Sequence, residues 1–221
     1  MNASHPRWPM TVHTASLIVF IAASTAPTPL YRIYQATWQF TPTLLTVIFA
    51  VYAFALLMAL LFAGRLSDHL GRKPVIGGAI ALDIVAMLVF LEASSPGWLV
   101  AARVLQGVAT GIGMSTLAAT ILDLDRHRGA TVNSFAPMIG LGLGALGSTA
   151  LVVLAPAPLR TVFVVLIALL VVSALLTRTT PETATVKPGA LGSLRPHVSV
   201  PARASAAFRA VTPLNGAIWM L

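Results

Sequence analysis

The chain has 221 residues, is 57% hydrophobic and carries only 9% charged residues, against about 25% in a soluble globular domain, so a water-soluble fold is excluded and an integral membrane protein is expected. Its net charge of +8 is dispersed through short segments between apolar runs, with no basic face interleaved with aromatics, which argues against nucleic acid as a partner. With no cysteine, disulfides, thiol nucleophiles and thiolate metal sites are excluded, and the five histidines are scattered without the i, i+4 pairing with a carboxylate that a helical zinc site needs; no cofactor or metal is expected.

Six apolar runs follow one another at about 11–25, 42–63, 74–91, 98–122, 131–154 and 159–176. At 1.5 Å of rise per residue they reach, or nearly reach, across about 30 Å of hydrocarbon. The first run ends in Ala22-Ala-Ser-Thr-Ala26, which a signal peptidase could accept, but the spans that follow favour a retained first helix. Pro27 and Pro29 end that helix, and Tyr31, Tyr34 and Trp38 fit an interfacial aromatic belt. The second and third runs are separated by Gly64-Arg-Leu-Ser-Asp68-His-Leu-Gly71-Arg72-Lys73-Pro74. Here Gly64 lets another helix approach, Gly71 can take the left-handed conformation that stops a helix, and Pro74 fits the first turn of the next one. Asp68, at a helix C-terminus, faces the negative end of the macrodipole and needs a positive partner, for which Arg72 and Lys73 are nearest.

Further along, 94–97 is a turn, 123–128 a charged loop, and Pro156 and Pro158 mark another turn. Residues 179–213 form a proline-bearing, basic linker with an amphipathic stretch near 202–211 suited to an anionic membrane surface. Residues 214–221 begin a new apolar run, about 12 Å of helix, read as the start of a truncated seventh span.

Two spans carry residues that a bilayer penalises. Arg103, well inside the fourth run, costs about 2.5 to 3.5 kcal/mol by insertion scales unless it faces protein or water or snorkels to the interface. Asp83 sits near the middle of the third, where an unpaired carboxylate is neutralised by protonation, and is either a proton carrier or a structural partner. Glu92, at the end of that run, reads as a solvated carboxylate. The fifth run holds Gly140 and Gly144, and the fourth Gly107 and Gly111, small residues at i and i+4 that let helices pack backbone to backbone.

The 64–74 stretch resembles the signature between the second and third helices of the major facilitator superfamily, G-x-L-a-D-r-x-G-r-[K/R]. Gly64, Leu66, Asp68, Gly71, Arg72 and Lys73 match, and His69 replaces the usual arginine. Arg103-Val-Leu-Gln106-Gly107 is similar to the family's fourth-helix motif R-x-x-Q-G. The fifth run looks like a weakened antiporter motif, G-x-x-x-G-P-x-x-G-G, with Gly140 and Gly144 matching, Ala145 at the proline, and Ser148 and Thr149 at the final glycines. Ala26-Pro-Thr-Pro-Leu30-Tyr31 looks like a segment of bacterial exporter-like members.

The resemblance implies an all-α integral membrane fold, a six-helix bundle corresponding to the N-terminal half of such a transporter plus its central loop, in the inner membrane, with a C-terminal six-helix half missing. It implies a secondary transporter of small molecules, proton-coupled, with export favoured over import. Arg103, supported by Gln106, would bind substrate or respond to proton movement near the central cavity. Asp68, Arg72 and Asp123 would form a charge cluster that latches the outward-facing state. The first run contains no acid, where drug-proton antiporters of this family often carry one. Two other functions stay open: an interaction or regulatory role for a six-helix membrane protein, and an intramembrane enzyme that uses Asp123 and Asp125 as a metal-binding D-x-D pair.

Alternate segments differ in charge. Arg7, Arg65, Arg72, Lys73, Arg126, Arg128, Arg178, Lys187, Arg195, Arg203 and Arg209 fall on one side, Arg32 and Arg160 on the other, which places the N-terminus in the cytoplasm. Reporter fusions after Arg72, Arg128 and Arg195 should therefore report cytoplasm, and fusions near Gln35, Pro96 and Pro156 the outside. An Arg195 fusion found outside would remove this topology.

Overall fold

Residues 8–64 and 66–185 are described by the computed structural model, and they form α1 (Trp8–Thr25), α2 (Tyr31–Trp38), α3 (Pro42–Ala63), α4 (Ser67–Leu70), α5 (Arg72–Leu91), α6 (Pro96–Leu124), α7 (Arg126–Leu154) and α8 (Pro158–Thr179). All of these but α2 and α4 are long and apolar enough to cross a membrane. The linker beyond 185, its amphipathic stretch and the run at 214–221 lie outside the described residues.

Helix ends follow local chemistry. Thr41 is extended and its hydroxyl accepts from Leu44 N, so α3 starts with Pro42 at its first position. Asp125 is extended and accepts from the N–H groups of His127 and Arg128. That cap starts α7 at Arg126, ahead of its apolar run, and shortens the connection from α6 to a single residue. Gly71 has φ 94° and ψ 153°, an extended backbone at positive φ open in practice only to glycine, rather than the left-handed helical conformation expected of it.

Two expectations need correction. Tyr31 and Tyr34 belong to α2 and are buried, so they form no interfacial belt. The Tyr31 ring meets Phe49 edge-on at 5.2 Å, and Tyr34 stacks on Trp38 at 4.7 Å. Among the described residues Gly64 does not receive a neighbouring helix, because the atoms next to it are those of Leu60 in its own chain turn.

The core lies where α6 meets α1, α3 and α5, with α7 packed on α1 and α8 on α5. Treating α1, α3, α5 as one triplet and α6, α7, α8 as a second, the α1–α7 and α3–α6 contacts exchange, while α1–α6 and α5–α8 map onto themselves. This is the pattern an internal repeat produces. Phe90 of α5 stacks on Phe163 of α8 at 5.0 Å, with ring planes 3° apart.

Backbone approach is closest at two glycine seams. A Cβ on Gly107 would lie 2.6 Å from the Tyr52 carbonyl oxygen and one on Gly111 2.7 Å from that of Leu56, both on α3. Along α7, Ala136, Gly140, Gly144 and Ser148 form a buried i, i+4 stripe against α1. A Cβ on Gly140 would lie 2.8 Å from the Ile18 carbonyl oxygen, and one on Gly144 would collide with the Ala22 carbonyl and the Thr25 hydroxyl. Gly147, on the other face, has open space.

Gly144→Ala should therefore destabilise the detergent-solubilised chain by about 1–3 kcal/mol through overpacking, whereas Gly147→Ala should leave it unchanged or slightly firmer. Thermal unfolding followed by tryptophan fluorescence checks the pair. Equal midpoints would show that the α1–α7 seam does not tighten at Gly144.

Candidate functional site

The interior site begins with a break in α1. Pro27 lacks the N–H that would satisfy the Ala23 carbonyl, and Thr28 N donates to Thr25 rather than to Ser24. Side chains of other helices supply the missing donors. Gln106 Nε2 donates to Ala23 O at 2.9 Å, Arg103 Nη1 to Ser24 O at 2.8 Å, and Ser148 Oγ to Ala26 O at 2.6 Å.

Arg103 also donates from Nη1 to Gln106 Oε1 at 2.7 Å and from Nε to the Tyr31 hydroxyl. Its guanidinium lies 5.0–5.8 Å from the ring centroids of Tyr52, Tyr31, Phe49 and Phe90. Among the described residues no carboxylate pairs with it. Its charge is held by carbonyl, amide and phenol oxygens and by aromatic faces, the last worth about 0.5–2 kcal/mol each.

Arg103 is 1% exposed and Gln106 is fully buried, so of the alternatives for Arg103 the described residues show it facing protein. Arg103 does not snorkel to the interface, and its Nε meets the hydroxyl of Tyr31, the first residue of α2.

Asp83 lies on the buried stripe of α5 and is 0% exposed, and neither carboxylate oxygen has a partner among the described residues. The structural-partner alternative is thus left without a partner. His13 and Ser16 on α1 and Thr110 on α6 are likewise buried with polar atoms unpaired by protein. Sequence reading passed over His13. Its signal was an imidazole one turn from Ser16 within an apolar run that lacks acids.

The second site is the charged end of the bundle, where α5 starts and α6 stops. Arg72 joins Asp68 at 2.6 Å and Asp123 at 3.0 Å, and its Nη1 donates to Ser67 Oγ. The structure thus brings Asp68, Arg72 and Asp123 together. Lys73 goes elsewhere, its Nζ donating to the Arg178 carbonyl at 3.0 Å. Asp125 spends its carboxylate on the α7 cap while Asp123 faces Arg72, so the D-x-D pair is divided between two tasks and does not converge on a metal.

Glu182, which the sequence did not single out, closes this end. It accepts from the backbone N–H of Arg72 at 2.8 Å and of Lys73 at 3.0 Å, the open N-terminus of α5, and from Thr183 N and Ala184 N. Thr183 Oγ1 donates to Asp123 at 3.3 Å. A Cβ at Gly71 would lie 3.0 Å from Glu182 Oε2, so glycine there admits the carboxylate. Burial alone would push the Glu182 carboxyl up, but the N–H groups of Ala184, Lys73, Arg72 and Thr183 together outweigh it and hold the carboxyl below the usual range.

A sequence profile of the Major Facilitator Superfamily matches residues 13–220. Proteins named Multidrug resistance protein MdtL from Salmonella paratyphi A and Salmonella typhi are 43% identical to this chain over 93 residues, covering 41% of this chain and 23% of each relative. The human organic anion transporter TETRAN has the same fold, with a TM-score of 0.64 at 22% identity over 91% of this chain and 53% of its own. The chain thus spans about half the length of that solved transporter, and its matched segment under a quarter of the curated relatives.

Because Glu182 is depressed in the folded state, its contribution is fully present above the unfolded value of about 4.3 and is lost as pH falls through the folded value. Hydrogen exchange, corrected for intrinsic rates, should show the Arg72 and Lys73 amides losing protection below about pH 4. Glu182→Gln should lower that protection at neutral pH and erase the acid step. An unchanged profile in the variant would mean that another group caps α5.

Proposed function

The chain belongs to the major facilitator superfamily, and from that membership we propose that its six spans form one wall of a proton-coupled exporter of small amphipathic molecules. A second six-helix bundle supplies the facing wall. The coverage of about half of a solved transporter and the multidrug names of the relatives support this reading.

The observation that carries proton coupling is Asp83. A carboxyl with no protein partner in a dry interior stays neutral, and becomes a charge only when water or a cation reaches it. Opening of the bundle during alternating access gives it that water, so it loads a proton in one state and releases it in the other. His13, reached electrostatically by Glu182 and Lys73, is the second titratable group on the way to the charged end. Arg103 acts as a positioning residue: it holds the broken end of α1 against α6 through Ser24 and Tyr31, so substrate contact falls to the surfaces around it.

Arg72 is the centre of the latch, with Asp68 and Asp123 as its two counter-ions. Asp68 is the more replaceable structurally, since Asp123 and Ser67 still hold Arg72 if it is neutralised. Its second task is to face the other bundle in the outward-facing state, with the N-terminus and this charged end in the cytoplasm.

The test uses the chain joined to a second six-helix bundle in proteoliposomes, with an imposed proton gradient and a panel of lipophilic cations. Asp83→Asn should insert normally and lose gradient-driven flux, while substrate exchange without a gradient persists. Asp68→Asn should slow both by about tenfold, the size of a typical conformational coupling. Gradient-driven flux at normal rates in Asp83→Asn would remove Asp83 as the proton carrier. Saturable flux by the 221-residue chain alone, abolished by Arg103→Ala, would show that no second bundle is needed.

A further inference from the structure

Away from Arg103 and Asp83, the outer flank where α5 meets α8 carries a groove of about 400 Å³. Its floor is apolar, with Ile80 and Ile84 from α5 and Ala174 from α8. Gly77, in the same wall, has nothing within 4 Å of where a Cβ would stand, so the slot is open along its length. Lys73 and Arg178 stand at the end of the groove that meets the charged end of the bundle.

Neither cation is neutralised. The Lys73 ammonium makes one contact, to the Arg178 carbonyl at 3.0 Å, and the Arg178 side chain is exposed. Among the described residues neither is paired with a carboxylate. Glu182, the nearby acid, has both oxygens occupied by backbone N–H groups. Thr177, also in the groove wall, is 3% exposed, and its hydroxyl has no partner among the described residues. Two unpaired cations and an unspent hydroxyl therefore head an apolar slot on a flank whose neighbours Val85, Val171 and Leu175 are exposed.

We propose that this groove binds one anionic phospholipid, its phosphate on Lys73 and Arg178 and an acyl chain lying over Gly77 between α5 and α8. The position decides for a lipid: α8 ends at this level, where headgroups meet hydrocarbon, and the slot below opens sideways into the bilayer. Charge decides for an anionic headgroup, since a basic pocket with no acid of its own favours net negative charge over a zwitterion. The site requires only membrane embedding, so it stands independently of the direction of transport and of the coupling ion.

Native mass spectrometry of the purified 221-residue chain tests this, with mixed micelles containing equal phosphatidylglycerol and phosphatidylcholine. The expected result is one phosphatidylglycerol retained per chain, in preference to phosphatidylcholine. Arg178→Gln should cut that retention about tenfold, the equivalent of one charge-assisted contact. Gly77→Leu, which fills the slot and leaves both positive charges in place, should abolish it. Gly78→Leu, also in open space but outside the groove, should bind as the parent does and controls for folding. Equal retention of the two lipids, or full retention by Gly77→Leu, would overturn the proposal. So would a thermal stabilisation by glycerol 3-phosphate equal to that by phosphatidylglycerol, which would assign the cations to a free phosphoester.

Discussion

The interrupted end of α1 is the constraint on which this bundle depends. A helix that stops inside a membrane leaves carbonyl groups that no water can satisfy, and each would cost several kcal/mol unpaired. Pro27 creates that situation, and α6 and α7 resolve it by lending Arg103, Gln106 and Ser148. Three helices are thereby tied at one point. The glycine seams follow from the same need, because Ser148 reaches Ala26 only if Gly140 and Gly144 allow α7 to lie against α1 backbone.

The arginine at this point illustrates how a membrane protein can bury a charge without a counter-ion. Three oxygens take its N–H groups and four aromatic rings face the guanidinium. A carboxylate partner would have made the site a neutral pair. Asp83, buried elsewhere on α5, has no partner for its carboxylate among the described residues and makes no ion pair with Arg103.

At the charged end the logic reverses, and Arg72 is shared between two carboxylates. Arg72 stands at the N-terminus of α5 and Asp123 in the last turn of α6, each on the unfavourable end of its own helix dipole. Antiparallel packing puts them beside one another. Glu182 then neutralises the N-terminus that Arg72 and Lys73 leave open, so the segment following α8 is fastened to the same point as the α4–α5 turn. Among the described residues Lys73 and Arg178 are left without a carboxylate partner at the margin.

The six spans, the all-α class and the family were legible in the sequence, because hydrophobic run length and the 64–74 signature are local properties that packing does not alter. The groups at the charged end were also legible as residues, since Asp68 needed a cation and Arg72 was the nearest. What the sequence could not reveal was where side chains go once helices meet. Periodicity marks Arg103 as costly, but not that Tyr31 and the Ser24 carbonyl would meet it. It does not show that, among the described residues, Gly64 would have no neighbouring helix and the His13 ring nitrogens no hydrogen-bond partner. Glu182 lies more than a hundred residues from the backbone groups it caps, and no local pattern announces a contact across that distance. The sequence by itself determined which segments enter the membrane and which charges had to find partners. Only the tertiary structure decided which partners they found, because hydrogen bonds to orphaned carbonyls and helix termini are settled by the crossing of helices that the chain does not place side by side.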